Sequence, residues 1–167
     1  MSSKIERPSK KNNMATAQEI NAIFREKGFT LGSVESFTGG KFASEIVSIP
    51  GASHFYKGGF ITYTNEEKNR LLGISWDDID KYGVISQEMA GLMASHARAL
   101  LNVDYCVSFT GNAGPDVMEG KKAGEIYIGI SYQDKCQVFA YQFAGSREEV
   151  QKQALETSFS LLLQIIF

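Results

Sequence analysis

A serine in a glycine-rich turn is the first residue of this sequence that could do chemistry. Ser36 lies in the hexapeptide ESFTGG at positions 35–40, between a short apolar segment and a helical pattern. A hydroxyl on a strand-to-helix turn is exposed, and the backbone N–H groups of Thr38, Gly39 and Gly40 can face an anion there. The pattern predicts a nucleophile beside an oxyanion hole. It is equally compatible with a helix cap whose glycines allow close packing.

A serine nucleophile needs a base, and neither of the two histidines is well placed to serve as one. His96 falls on the apolar face of a predicted long helix, and His54 lies in a connection without an acidic neighbour. Two isolated histidines also argue against a metal site. Lys68 is the remaining candidate, because a buried amine loses its proton more readily than a solvated one. Its charged surroundings at 66–70 are, however, typical of a surface helix.

The elements that must position these residues alternate along the chain. Apolar segments predict strands at 30–35, 58–64, 103–109, 124–132 and 136–143, with helices before, between and after them. This order predicts the α/β class, as a three-layer α/β/α sandwich with a mixed, mostly parallel sheet of about five strands. Polar or glycine-rich turns at 36–40, 63–68 and 110–115 follow three of the strands. Since ligands bind at the carboxyl ends of strands in open sheets, we expect these turns to converge.

Composition excludes several classes of protein. The 17 basic and 19 acidic residues give a net charge of −2, which argues against a nucleic-acid partner. Cys106 and Cys136 can form neither a disulfide framework nor a zinc cage and are expected to be reduced. No apolar run is long enough to span a membrane, so a cytoplasmic protein without membrane contact is predicted.

The chain is expected to consist of a tail and one domain. Residues 1–13 contain four basic residues and one acidic residue and no apolar periodicity, which predicts a disordered basic tail. Residues 14–167 then form a single domain. On its predicted long helix Met89, Met93 and His96 share one face, and this face suggests self-association into a homo-oligomer.

Four ordered motifs in this chain closely resemble those of the CinA C-terminal domain family, and the resemblance extends from about Ile20 to the C-terminus. They are ESFTGG at 35–40, the segment 58–73 with Tyr63-Thr64-Asn65, Lys68 and Leu71-Leu72-Gly73, YGVIS at 82–86, and TGNAGP at 110–115. In full-length members this domain follows a molybdopterin-binding-like domain. The present chain resembles the stand-alone form.

The resemblance implies an α/β/α fold and an amidase that converts nicotinamide mononucleotide to nicotinate mononucleotide and ammonia, without a metal or other cofactor. By position, Ser36 matches the family's nucleophile and Lys68 its general base, while Tyr63 is a further catalytic position. We expect the pyridine mononucleotide to be bound by Thr38, Gly39, Gly40, Thr110, Gly111, Gly114 and Arg147. Our own inference is that Arg147 contacts the phosphate, because its guanidinium offers a bidentate fork.

The sequence departs from the family pattern at Phe37, Asn112, Val117-Met118 and the segment 121–124. None of these departures removes a proposed catalytic group. Phe37 and Val117-Met118 are expected to border the pocket and so to affect which substrate is accepted. The alternative to an enzyme is a catalytically inactive nucleotide-binding or protein-interaction module of the same fold.

Overall fold

Six helices and five strands make up residues 14–167, the part of the chain that this computed structural model describes. The predicted tail at 1–13 lies outside the described residues. The helices are α1 (Ala17–Lys27), α2 (Lys41–Val47), α3 (Asn65–Leu72), α4 (Trp76–Tyr82), α5 (Gln87–Leu101) and α6 (Arg147–Ile166). The strands are β1 (Leu31–Glu35), β2 (Tyr56–Ile61), β3 (Tyr105–Gly111), β4 (Glu125–Tyr132) and β5 (Lys135–Gln142). Within residues 14–167, no helix combines the length and the apolar character needed to cross a membrane.

Local capping signals set the ends of the helices. The Thr64 hydroxyl accepts the Glu67 N–H at the start of α3, and Gly73 ends this helix in the left-handed conformation with φ of 71°. Ser146 and Glu149 form a complete capping box at the start of α6. These two residues therefore set the bounds of α3. Strand β2 ends at Ile61, three residues earlier than predicted, because the cap of α3 already occupies Thr64.

The sheet has the strand order β2-β1-β3-β4-β5. Strand β1 pairs in parallel with both β2 and β3, whereas β4 is antiparallel to both β3 and β5. Four strands therefore run in one direction and only β4 runs in the other. This confirms the predicted mixed sheet of five strands, in which β4 and β5 form a hairpin. It also brings the carboxyl ends of β1, β2 and β3 to one edge.

Hydrophobic cores on both faces of the sheet make the three layers. One core joins the sheet to α1, α2 and α6 and contains the packed rings of Phe42, Phe109 and Phe159. The other core joins the sheet to α3, α4 and α5. The predicted α/β/α sandwich is therefore confirmed.

The face of α5 that was expected to support self-association lies mostly inside the second core. Met89 and Met93 are fully buried there. His96 is partly buried, and its Nδ1 lies 2.8 Å from the Leu72 carbonyl oxygen. The prediction of an association surface on Met89, Met93 and His96 is therefore wrong, because α5 packs this face against the sheet. A homo-oligomer stays a prediction without this surface.

Candidate active site

The turns after β1 and β2 bring Ser36 and Lys68 together. Because β1 and β2 are adjacent and parallel, their carboxyl ends lie side by side. Lys68 Nζ lies 3.1 Å from Ser36 Oγ, and it also donates a hydrogen bond of 2.7 Å to the Thr62 carbonyl oxygen. The serine and the lysine that the sequence singled out, 32 residues apart, are thus in direct contact.

Lys68 is buried, with 1% of its surface exposed, rather than lying on the surface as its local sequence suggested. Within residues 14–167, no carboxylate lies within ion-pair distance of its Nζ. Burial lowers the pKa of Lys68 from 10.5 to about 8, and the negative charge of Glu119 opposes this shift. The neutral amine, which is the form able to accept a proton, is therefore accessible near neutral pH.

Buried hydrogen bonds fix the turn that carries Ser36. The Ser36 N–H donates to the Phe109 carbonyl oxygen of β3 at 3.0 Å. The buried carboxylate of Glu35 accepts the N–H groups of Phe42 and Ala43, at 2.8 and 3.2 Å, in the first turn of α2. These bonds tie the serine to the sheet on one side and to the helix on the other.

The glycines of this turn are required by its backbone conformation. Gly39 and Gly40 have φ of 58° and 101°, which side-chain-bearing residues rarely adopt. The Gly39 N–H donates to the Ser36 carbonyl oxygen at 3.1 Å and is therefore already engaged. The N–H groups of Thr38 and Gly40 are left as candidate oxyanion donors. The Thr38 hydroxyl is buried and has no hydrogen-bond partner among residues 14–167.

Helix α6 supports the same turn from outside. Gln151 Nε2 donates to the Phe37 carbonyl oxygen at 2.8 Å, while its Oε1 accepts from Lys41 Nζ at 2.6 Å. The Phe37 ring is buried among the residues of the α1, α2 and α6 core. The expectation that Phe37 borders the pocket is therefore wrong, because its ring packs into the core instead.

The turn after β3 lies at the same edge of the sheet as the turn after β1. The Gly114 carbonyl oxygen accepts Arg147 Nη1 at 2.9 Å, and Arg147 Nη2 donates to the Tyr63 hydroxyl at 3.3 Å. Both the arginine and the tyrosine are exposed, so they lie at the rim. The Thr110 hydroxyl is buried and donates to the Val84 carbonyl oxygen. At Gly111 a Cβ would come within 2.6 Å of the Glu125 carbonyl oxygen, which explains the glycine.

The departure at Asn112 has a structural explanation. This side chain is buried, and its Nδ2 donates to the carbonyl oxygens of Met118 and Lys121 at 3.2 and 3.1 Å. Its Oδ1 accepts the Met118 N–H at 3.2 Å. Asn112 thus holds the loop 112–121 closed on itself, while the side chains of Val117 and Met118 remain exposed.

The two histidines lie away from this arrangement. His54 precedes β2 at the opposite edge of the sheet, where its Nδ1 lies 3.0 Å from the Gly51 carbonyl oxygen. His96 contacts the C-terminal end of α3 rather than its lysine. In the described part of the chain, no three His, Cys, Asp or Glu side chains cluster as metal ligands do.

Four supporting residues of the site were missed by sequence reasoning. Glu35 had a usable signal, since a carboxylate a few residues before a helix can accept its first N–H groups. The other three are Thr62, Glu119 and Gln151, whose contacts depend on tertiary structure. No local pattern identifies them.

Comparison with known proteins places these features in a family. Residues 13–166 match the model of the CinA C-terminal domain. A competence-damage inducible protein of Bacillus subtilis is 36% identical over 155 residues, which are 93% of this chain and 37% of that protein. One from Limosilactobacillus reuteri is 43% identical over 120 residues, which are 72% of this chain and 29% of that protein. The chain thus spans about a third of the length of these relatives.

Solved structures show the same fold. A CinA superfamily protein from Escherichia coli superposes with a TM-score of 0.88 at 26% identity, covering 96% of this chain and 94% of that one. A competence/damage inducible protein from Agrobacterium tumefaciens has a TM-score of 0.86 at 26% identity, covering 90% of this chain and 93% of that one.

Proposed function

The chain belongs to the CinA C-terminal domain family, and we propose that it is an amidohydrolase acting on nicotinamide mononucleotide. The products are nicotinate mononucleotide and ammonia. The observation that carries the proposal is the contact of a buried, unpaired lysine with a serine hydroxyl, Lys68 Nζ to Ser36 Oγ at 3.1 Å. A serine and a lysine in this relation can form and hydrolyse an acyl-enzyme without a metal or an organic cofactor.

In the acylation step, Ser36 Oγ attacks the carboxamide carbon while the neutral amine of Lys68 takes the hydroxyl proton. One amine N–H continues to donate to the Thr62 carbonyl oxygen, which orients the nitrogen lone pair toward the serine. The negative oxygen of the tetrahedral intermediate faces the N–H groups of Thr38 and Gly40. The ammonium of Lys68 then returns its proton to the leaving nitrogen, and ammonia departs.

Deacylation uses the same groups in reverse. A water molecule attacks the nicotinoyl ester on Ser36, and Lys68 accepts a proton from that water. Collapse of the second tetrahedral intermediate breaks the ester bond and returns the proton to Ser36 Oγ. Nicotinate mononucleotide leaves with a carboxylic acid group that loses its proton to solvent, and the enzyme regains its starting protonation state.

The rim residues are proposed to hold the nucleotide portion of the substrate. Arg147 uses two N–H groups on Gly114 and Tyr63, which orients its guanidinium and leaves further N–H groups for a phosphate. Tyr63, exposed beside it, offers an aromatic surface at the same rim. The backbone of the turn 110–114, whose Gly114 carbonyl oxygen accepts from Arg147, is proposed to contact the ribose.

The proposed function is tested by measuring ammonia release from nicotinamide mononucleotide by the purified protein. We expect equal amounts of ammonia and nicotinate mononucleotide, and less efficient turnover of the phosphate-free riboside. If the protein binds the mononucleotide but releases no ammonia, the chain is the inactive binding module that is the alternative to an enzyme.

A further inference from the structure

A glutamate in the loop between β3 and β4 fastens a distant segment to the site. The Glu119 carboxylate accepts the N–H groups of Val84 and Ile85 at 2.8 and 3.2 Å. These two residues lie in the connection between α4 and α5. The Thr110 hydroxyl donates to the Val84 carbonyl oxygen. Both the N–H and the carbonyl of Val84 are therefore hydrogen-bonded to side chains. The connection is therefore held jointly by Thr110 of β3 and by Glu119.

The backbone around this contact is adapted to it. A Cβ at Gly83 would come within 2.6 Å of Glu119 Oε2, and Gly83 has φ of 71°, so a glycine leaves room for the carboxylate. Glu119 itself has φ of 58°, a conformation that side-chain-bearing residues rarely adopt. Two hydrogen bonds from backbone N–H groups to an ionised carboxylate can offset this strain.

The charge of Glu119 also acts on the buried amine of the dyad. It favours the protonated form of Lys68 and so partly opposes the effect of burial on the pKa of that lysine. Other titratable groups of the elements around Lys68 have partners of their own. Glu35 bonds to the backbone of α2, Glu67 pairs with Arg70 at 2.6 Å, and His96 of α5 contacts the Leu72 carbonyl oxygen. Lys68 Nζ itself is hydrogen-bonded to two uncharged groups, the Ser36 hydroxyl and the Thr62 carbonyl.

We propose that Glu119 is a positioning residue of the active site. Its carboxylate fastens the loop 112–124 to the segment 83–85. Its negative charge also favours the protonated form of the buried Lys68 amine, against the larger opposing effect of burial. The kinetic part of this inference rests on the proposed amidase function. The titration of Lys68 and the attachment of the segment 83–85 are independent of any substrate.

Three variants separate the effect of the Glu119 charge from that of its hydrogen bonds to the segment 83–85. Glu119→Gln removes the charge and keeps one acceptor oxygen, whereas Glu119→Asp keeps the charge on a shorter side chain. Asp116→Asn is the matched control, since it removes an exposed carboxylate from the same loop. The side-chain ¹³Cε and ¹⁵Nζ resonances of Lys68, assigned with Lys68→Met, are followed by NMR between pH 6 and 11 without substrate.

We expect Lys68 to titrate at lower pH in Glu119→Gln than in Asp116→Asn, because removal of a nearby negative charge favours the neutral amine. In Glu119→Asp the titration should stay close to that of the parent. Amide hydrogen exchange at Val84 and Ile85 should accelerate in Glu119→Gln and be unchanged in Asp116→Asn. In the active enzyme, the rising limb of kcat against pH should move with the Lys68 titration.

Equal titration of Lys68 in Glu119→Gln and Asp116→Asn would overturn the electrostatic part of the proposal. Unchanged amide hydrogen exchange at Val84 and Ile85 in Glu119→Gln would overturn the claim that Glu119 holds the segment 83–85. Neither readout needs turnover. If the parent protein releases no ammonia while both readouts change as expected, the amidase proposal fails and the positioning role of Glu119 stands.

Discussion

Ser36 and Lys68 are each held by a further hydrogen bond in addition to the contact between them. The serine is held through its backbone N–H, which donates to Phe109, and the lysine through its bond to the Thr62 carbonyl oxygen. The hydroxyl and the amine lone pair can therefore face each other with little reorganisation. Such preorganisation is what a proton transfer at the start of catalysis requires.

Removing the hydroxyl should separate chemistry from binding. Ser36→Ala is expected to abolish ammonia release while nicotinamide mononucleotide still binds, because the rim and not the hydroxyl supplies most of the affinity. Calorimetry together with the ammonia assay measures both quantities. Turnover near the parent rate would mean that water attacks the amide directly and that Ser36 is only part of the turn.

The role of Arg147 is tested by comparing substrates with and without phosphate. Arg147→Ala should weaken binding of the mononucleotide by about 1–3 kcal/mol, which is roughly 5- to 150-fold, through loss of charge-assisted hydrogen bonds. Binding of the riboside should change far less. Equal losses for the two ligands in a titration would show that the arginine instead maintains the contact between Gly114 and Tyr63.

Residue chemistry could be predicted only partly from the sequence. Ser36 was identified as a candidate nucleophile because the ESFTGG turn lies between a predicted strand and a predicted helix. Lys68 did not, since its neighbours Glu67 and Arg70 form an exposed pair that is typical of a surface helix. Its amine is held by the carbonyl of nearby Thr62 and by Ser36 in the turn after β1, and the latter contact is distant in sequence. Resemblance to a family supplied what the local pattern lacked.

At the scale of elements, capping signals made helix bounds predictable, whereas loops depended on contacts that no short motif encodes. The ends of α3 follow from Thr64 and Gly73 alone. The shape of the loop 112–121 follows instead from the side chain of Asn112, whose three bonds to the loop backbone are buried. The sequence marked Asn112 as a departure from the family without indicating this role.

Loss of the Asn112 side chain should therefore loosen this loop. We expect Asn112→Ala to lower the free energy of unfolding by about 1–3 kcal/mol, because two Met118 groups and the Lys121 carbonyl lose their partner. Urea denaturation measures this change, and limited proteolysis should cut the loop faster. Asp116→Asn on the same loop serves as control. An unaltered unfolding midpoint and cleavage rate in Asn112→Ala would contradict the assigned role.

For the whole molecule, the buried amine of Lys68 is a cost to stability. Its pKa falls from 10.5 to about 8 on folding, so the folded state binds fewer protons than the unfolded state between these pH values. Stability therefore rises with pH across this window, and below it the full penalty applies. The shift corresponds to about 3 kcal/mol at neutral pH. The fold tolerates this cost at the one position where the proposed chemistry needs a neutral amine.

Replacing the lysine should consequently stabilise the protein while inactivating it. Lys68→Met is expected to raise the free energy of unfolding by up to about 3 kcal/mol at pH 7, reduced by the contribution of the lost hydrogen bond to Thr62. Near pH 10 the gain should be much smaller. Urea unfolding of parent and variant at both pH values gives this difference. A variant that is less stable than the parent at pH 7 would show that the ammonium is well accommodated.

The central claim is that Lys68 accepts the proton of Ser36, and the rate of ammonia release by Lys68→Arg tests it most directly. A guanidinium keeps the positive charge but stays protonated at any accessible pH. For the parent we predict a kcat that rises with pH through a pKa of about 8 and then levels off. For Lys68→Arg we predict a kcat lower by about 100-fold or more at every pH, with affinity for nicotinamide mononucleotide largely retained. An arginine variant that turns over at the parent rate would contradict the account.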